Sequence, residues 1–197
     1  ELRDGFSDVF EQICTEMRKG MAAAHAPKAH DDSPEGRRHQ IVQECWSLVE
    51  QDLDNCGVKL IMRVLATTPE ALFHLPFLSS STFAQNNSSK TKDQQWSNLD
   101  TRQDATLRGH GRLMLKTFGR VVRCHDELSV LEAELMAVGK RHAMMQMKPE
   151  LFGKVGDALL WLLETDVAQH RWDPEHSKAF QTVTAFVTTA MAKGTEC

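Results

Sequence analysis

Four of the six prolines stand directly before a glutamate, in Pro34-Glu35, Pro69-Glu70, Pro149-Glu150 and Pro174-Glu175. Proline suits the first position of a helix, where its missing N–H would have no partner in any case. A glutamate one residue later complements the positive end of the helix dipole. Each pair therefore marks a helix start. Ser33, Thr68 and Asp173 precede three of the pairs, and their side-chain oxygens can accept a backbone N–H of the first turn. A further start is expected at Ser129, where Ser129 to Glu132 fits the S-x-x-E capping box.

Apolar spacing agrees with these starts and offers almost no strand-like alternation. Ile41, Cys45, Leu48 and Val49 follow the helical period, as do Leu107, His110, Met114, Thr117, Phe118 and Val121. Leu131, Leu135, Val138 and His142 make another stripe. Phe152, Val155, Leu159 and Leu162 make a fourth, and Val183, Phe186, Val187 and Ala190 a fifth. The expected fold class is all-α.

With 197 residues, 41% of them hydrophobic, the chain can bury one sizeable core. A net charge of −4 and a pI near 6.1 leave no electrostatic footprint for nucleic acid or an anionic membrane. No apolar run approaches the roughly 20 residues that cross a bilayer, and Glu1, Leu2, Arg3 and Asp4 do not open a secretory signal. The chain begins on Glu1 and not on Met, which is compatible with a trimmed terminus and a lost targeting signal. Cys14, Cys45, Cys56, Cys124 and Cys197 form an odd set without CxxC spacing. That suits a reducing compartment better than a disulfide framework, so a cytoplasmic location is expected.

Two segments fall outside the core pattern. Residues 1–24 carry Leu2, Phe6, Phe10, Ile13, Met17 and Met21 on one helical face. An extra amphipathic helix is expected there, with the body of this chain as its partner in preference to another protein. The polar stretch from Ala26 to Ser33 joins it to the rest, dividing the chain into 1–34 and a main domain at 35–197. The second segment, Ser79 to Asn98, is rich in Ser, Asn, Gln, Thr and Lys. It reads as a disordered loop, with Phe83 and Trp96 as anchoring points.

Two of the apolar stripes include a histidine. His110 and His142 are 32 residues apart, each on the apolar face of its own expected helix. A lone histidine so placed is ordinarily a core residue bonded to a backbone carbonyl. The remaining histidines offer neither HExxH nor a CxxC pair for zinc.

From about Glu35 to Gly194 the chain resembles the globin family, and more narrowly its neuroglobin-like and nematode neuronal members. The landmarks come in order: Trp46 in the first helix, then Thr68-Pro69-Glu70 and Leu75-Pro76-Phe77. Leu107-Arg108-Gly109-His110, Gly139-Lys140-Arg141-His142 and Lys148-Pro149-Glu150-Leu151-Phe152 follow. The interval between His110 and His142 equals the distal-to-proximal interval of neuroglobin-like globins. The resemblance implies a globin fold, a three-on-three helical sandwich, that holds haem b (iron protoporphyrin IX). His142 would be the proximal ligand and His110 the distal histidine.

In the neuroglobin-like relatives the distal histidine itself binds iron, and three features favour that here. Gly109 and Gly111 flank His110 and give the backbone freedom, although glycines there also permit close helix packing. Met114, longer than the valine common at its place, can fill the space of a gas ligand, or serve as ordinary core; direct ligation by Met114 is a remote option. The long loop before this helix can let it slide inward. Phe77 is the candidate for the phenylalanine stacked on the haem, with Phe73 as the fallback. Leu135, Val138, Met147 and Phe152 are expected at the proximal and rear walls, and Arg112 and Arg141 at the propionates or in solvent.

The chain also departs from the family. The interval from Phe77 to His110 is longer than usual, and Leu113 stands where many globins place a basic residue. Tyrosine is absent, which removes a donor that some invertebrate globins use to hold oxygen tightly.

The expected function is a bis-histidyl, six-coordinate haem protein acting in electron transfer or in redox or gas sensing, not in bulk oxygen transport. A diatomic gas (O2, CO or NO) and a redox protein are its expected partners. The alternative is reversible oxygen binding or storage at an open sixth site. Nitric oxide dioxygenase or peroxidase-like chemistry and a haem-free helical interaction module are further alternatives. No catalytic residue is expected, and the chain is not read as an enzyme.

Overall fold

The computed structural model describes residues 33–74, 101–123, 128–168 and 171–196. Six α-helices make up this part: α1 (Pro34–Gln51), α2 (Leu53–Thr67), α3 (Thr101–Arg123), α4 (Leu128–Met144), α5 (Glu150–Leu162) and α6 (Pro174–Thr195). A 3₁₀ helix, Pro69–His74, follows α2, and a π-helical turn, Leu163–Val167, extends α5. There is no strand among the described residues. The amphipathic segment at 1–24, the polar loop with Phe83 and Trp96, and Phe77 lie outside them, as does the side chain of Phe73.

All four Pro-Glu pairs open a helix. The Ser33 hydroxyl accepts the Gly36 N–H at 3.0 Å, and the Asp173 carboxylate accepts those of Glu175 and His176 at 2.8 and 2.9 Å. Thr68 departs from expectation. Its carbonyl accepts the Ala71 N–H, but its buried hydroxyl has no hydrogen-bond partner, because the 3₁₀ helix turns too tightly for the side chain to reach round. Ser129 also lies one residue inside α4, so the box at Ser129 to Glu132 is part of the first turn and does not precede it.

The expected stripes became α1, α3, α4, α5 and α6, while α2 was not among them. Asp52 supplies its start, accepting a bond from the Asn55 side chain at 2.7 Å, with no proline to announce it. Its buried face is Cys56, Gly57, Leu60, Ile61, Val64 and Leu65.

The helices meet at unusually close crossings. A Cβ added to Gly111 would lie 2.4 Å from the Gly57 carbonyl carbon, so α2 and α3 touch backbone to backbone. Between α4 and α6 there are two such points: a Cβ on Gly139 would lie 1.9 Å from the Met191 oxygen, and one on Gly194 2.0 Å from that of Met136. Trp172 stacks on Phe180 with ring centres 5.9 Å apart, and Trp46 reaches Phe180 from α1 at 6.5 Å. Leu60, Leu107, Leu115, Leu159, Leu162 and Leu163 are wholly buried in the core. Burying each such leucine stabilises the fold by about 1.5–3 kcal/mol relative to exposure.

Candidate functional site

A cavity opens between α3 and α4, with about 860 Å³ of free space including its mouth. Leu113, Met114 and Phe118 of α3 form one wall and Val138 of α4 the other. Leu151, Phe152 and Val155 of α5, with Val187 and Met191 of α6, close the back, and Ile61 and Val64 of α2 an end. The lining is almost entirely aliphatic and aromatic. The exceptions include His110 and His142, which face this one space from the two helices.

The period that aligns Leu131, Leu135 and Val138 carries His142 to the same side of α4, so its ring enters the cavity. Its Nδ1 lies 2.9 Å from the carbonyl oxygen of Val138, one turn back. A carbonyl can only accept, so Nδ1 carries the hydrogen and, in the neutral ring, Nε2 keeps a free lone pair. The ring packs edge-on to Phe152, with centres 5.7 Å apart and planes at 82°. Beyond α4 the turn closes on the same residue: the His142 carbonyl accepts the N–H groups of Met145 and Met147. Gln146 supplies the left-handed residue of the turn, at φ 60°. His74, at the end of the 3₁₀ helix, bonds the Met145 carbonyl through Nδ1 at 3.2 Å.

His110 stands on α3 one residue before the contact with α2. Burial pushes its imidazole down to about 4, and the proximity of His142 adds to the fall. Burial also lowers His142, reinforced by Arg141 and opposed by the hydrogen bond to Val138. Both rings are thus held towards the neutral form, His110 the more clearly of the two. Two neutral imidazoles facing one apolar space form a donor set for a metal held between them.

Gly109 and Gly111 serve α3 differently from the backbone freedom expected of them. Neither has a positive φ; Gly111 provides the contact with Gly57, while a side chain at Gly109 would meet nothing within 4 Å. Behind His110, Arg112 forms a two-point ion pair with Asp54 of α2, Nε to Oδ1 and Nη2 to Oδ2 both at 2.5 Å. Arg108 donates to the Asn55 side-chain oxygen at 3.0 Å.

Of the other residues expected at the site, Met114, Val138, Met147 and Phe152 line the cavity. Leu135 is buried in the helical core and is not among the lining residues. Arg112, expected at a propionate, is engaged by Asp54. Arg141 is half-buried, its guanidinium pushed down by desolvation, and has no ion pair among the described residues. Ile61, Val64 and Met191 were not anticipated. Ile61 and Val64 follow a helical period on α2, a signal the sequence held.

No three histidine, cysteine, aspartate or glutamate side chains converge as a metal cluster among the described residues. None of the described helices is long and apolar enough to cross a membrane. Cys45 and Cys56 are buried free thiols, and burial pushes Cys45 up to about 11. That keeps it a poor nucleophile.

A family model named Globin matches residues 78–191. Among solved structures, a hexacoordinated haem protein from an anhydrobiotic tardigrade, in its crystal form at pH 4, has a TM-score of 0.65 to this chain. The two are 15% identical, over 82% of this chain and 94% of that one. At that identity the likeness speaks for the fold. No curated protein matches this chain in sequence.

Proposed function

The chain belongs to the globin family of haem-binding proteins, and from that membership we propose that it holds haem b between α3 and α4, with His142 as proximal and His110 as second axial ligand. One observation carries the reading: the two histidines face the same apolar cavity from opposite helices. The residues present fit the group. The Val138 carbonyl fixes the His142 tautomer so that Nε2 is the donor atom, and such an outer partner also raises ligand basicity. Phe152 packs edge-on against that ring. Val138, Met114 and Phe118 add apolar lining to the cavity, which suits a porphyrin face. Arg141, next to His142 in sequence and half-buried, is the residue we assign to a propionate.

When bound, haem supplies an iron that exchanges one electron and takes diatomic ligands such as O2, CO or NO. If His142 and His110 both hold the iron, a gas would have to displace the His110 side chain, and an unchanged pair of histidines would let the iron exchange an electron with little rearrangement. This favours electron transfer with a protein partner, or redox or gas sensing, over bulk oxygen transport. The tardigrade protein of the same fold is itself hexacoordinated, so the fold accommodates this state.

The test is the visible spectrum of the haem-loaded protein, ferric and then anaerobically reduced, before and after carbon monoxide. Low-spin bands in both states and slow uptake of carbon monoxide are expected, with His110→Ala opening a site that binds it at once. A high-spin ferrous form of the unmutated protein would favour the open-site reading, in which His110 only hydrogen-bonds a bound gas.

A further inference from the structure

Two residues of α2 outside the cavity lining, Asp54 and Asn55, hold arginines of the helix that carries His110. Arg108 and Arg112 are one turn apart and lie on the side of α3 opposite His110, since two residues along a helix correspond to a rotation of about 200°. Arg112 is gripped at two points by Asp54, both at 2.5 Å, and Arg108 bonds Asn55 at 3.0 Å. Between them Gly111 meets Gly57 with no room for a side chain on either. The segment carrying His110 therefore meets α2 at three residues, Arg108, Gly111 and Arg112, and the two arginines are on the side away from His110.

We propose that Asp54 and Asn55 are positioning residues for His110, fixing α3 so that this histidine stays presented to the cavity. The proposal rests on the bis-histidyl reading above. A side chain competing with a dissolved gas does so at an effective concentration set by the stiffness of its tether. A helix pinned from behind presents the imidazole at one place, and preorganisation of this kind strengthens the bond without a new contact. With the pins removed the helix explores more positions, and the imidazole spends more time away. The glycine contact alone prevents α3 from moving closer to α2 but does not prevent it from moving away. The ion pair and the amide bond supply that restraint. Sliding of the whole helix, expected from the loop before it, is thereby opposed.

The experiment compares haem-loaded protein carrying Asp54→Asn or Asn55→Ala with the unmutated chain, mixing the ferrous forms with carbon monoxide. In the six-coordinate protein the rate levels off at high gas concentration, at the rate with which His110 leaves. Asp54→Asn is expected to raise that limit roughly twofold to fivefold, as for an exposed ion pair, with Asn55→Ala giving a smaller rise. The reversed pair, Asp54→Arg with Arg112→Asp, is expected to restore it in part. Lys193→Met, which removes the 2.7 Å ion pair between α6 and Glu132 of α4, serves as the control and leaves the limit unchanged. In haem-free protein, amide hydrogen exchange over residues 105–115 should quicken in Asp54→Asn and not in the control. A six-coordinate unmutated protein whose limiting rate is the same in both α2 variants would overturn the positioning role alone. An unmutated protein already open to carbon monoxide, with no limiting rate, would overturn the bis-histidyl reading and this role together.

Discussion

His142 is fixed from in front, by a hydrogen bond of its own ring and by the edge of Phe152, whereas His110 is fixed from behind, through the helix that carries it. On the first side the restraint acts on the imidazole itself: Nδ1 is committed to Val138 at 2.9 Å, and any rotation of the ring breaks that bond. On the second side a glycine contact and two hydrogen-bonded arginines act on α3, through Gly111, Arg112 and Arg108. On the proposed bis-histidyl reading, this difference would suit His142 as the ligand that stays and His110 as the ligand that yields to a gas.

The sharpest way to break the distal half of this comparison is to force α2 and α3 apart. In Gly111→Val a new Cβ would meet the Gly57 backbone at 2.4 Å, and backbone cannot yield as a flexible side chain does. A loss of about 3 kcal/mol or more is expected, as for other over-packed buried sites, measured by urea unfolding of the haem-free protein. The displaced helix should also raise the high-spin fraction of the haem-loaded form. A stable variant with an unchanged spectrum would mean that the crossing does not set the position of His110.

Acid distinguishes the two sides next. Burial holds both histidines below the usual value near 6.5, His110 at about 4. Between those values the unfolded chain binds protons that the folded chain refuses. The folded state is therefore fully favoured above about pH 6.5 and progressively less so as the pH falls towards 4. For the haem-free protein the loss attributable to His110 is about 1–3 kcal/mol. It can be checked by urea titrations at neutral pH and at about pH 4.5. His110→Leu should flatten this dependence. His142→Leu should also flatten it, though less for each unit of burial, because the Val138 bond partly counters the depression of that ring. A pH profile identical in His110→Leu and the unmutated protein would show that His110 is not held neutral.

A smaller effect tests the front of His142. Phe152→Leu removes the ring that stands edge-on at 5.7 Å and leaves a modest void, for a cost of about 1–2 kcal/mol. If Phe152 orients the imidazole, the ferric low-spin signals of the haem-loaded variant broaden or shift in electron paramagnetic resonance. If it only fills space, stability falls and the signals stay where they were.

The same contrast separates what the sequence reveals from what it hides. The proximal arrangement is local: Val138 and His142 are one turn apart on one helix, and the stripe that predicts the helix also predicts the contact. Helix starts are local too, which is why Pro34, Pro69, Pro149 and Pro174 locate them. The support of His110 is long-range. Gly111 is visible beside His110, but its partner Gly57 is on a helix whose onset, at Asp52, has no proline signal. Arg112 invites assignment to a propionate until Asp54 is found beside it. A clue was available in the period of α3, which sets Arg108 and Arg112 opposite His110, away from the slot. Thr68 illustrates the limit of cap rules: the residue type is right, yet the tight 3₁₀ turn leaves its hydroxyl unsatisfied.

The gentlest probe reaches His142 from outside the cavity. His74 joins the 3₁₀ helix to the turn after α4 by its bond to the Met145 carbonyl at 3.2 Å. That turn is anchored on the His142 carbonyl through the N–H groups of Met145 and Met147. Removing the imidazole in His74→Ala frees the turn but leaves the Val138 bond intact, so the proximal ring should hold. A stability loss of about 0.5–1.5 kcal/mol is expected from one hydrogen bond, read by thermal unfolding of the haem-free protein. The carbon monoxide limiting rate should stay within about twofold of the unmutated value, since that rate belongs to His110 and its restraint lies in α2. A large change in the rate would mean that the two sides of the cavity are coupled through the turn, and that the division between a ring held in front and a helix held behind is too simple.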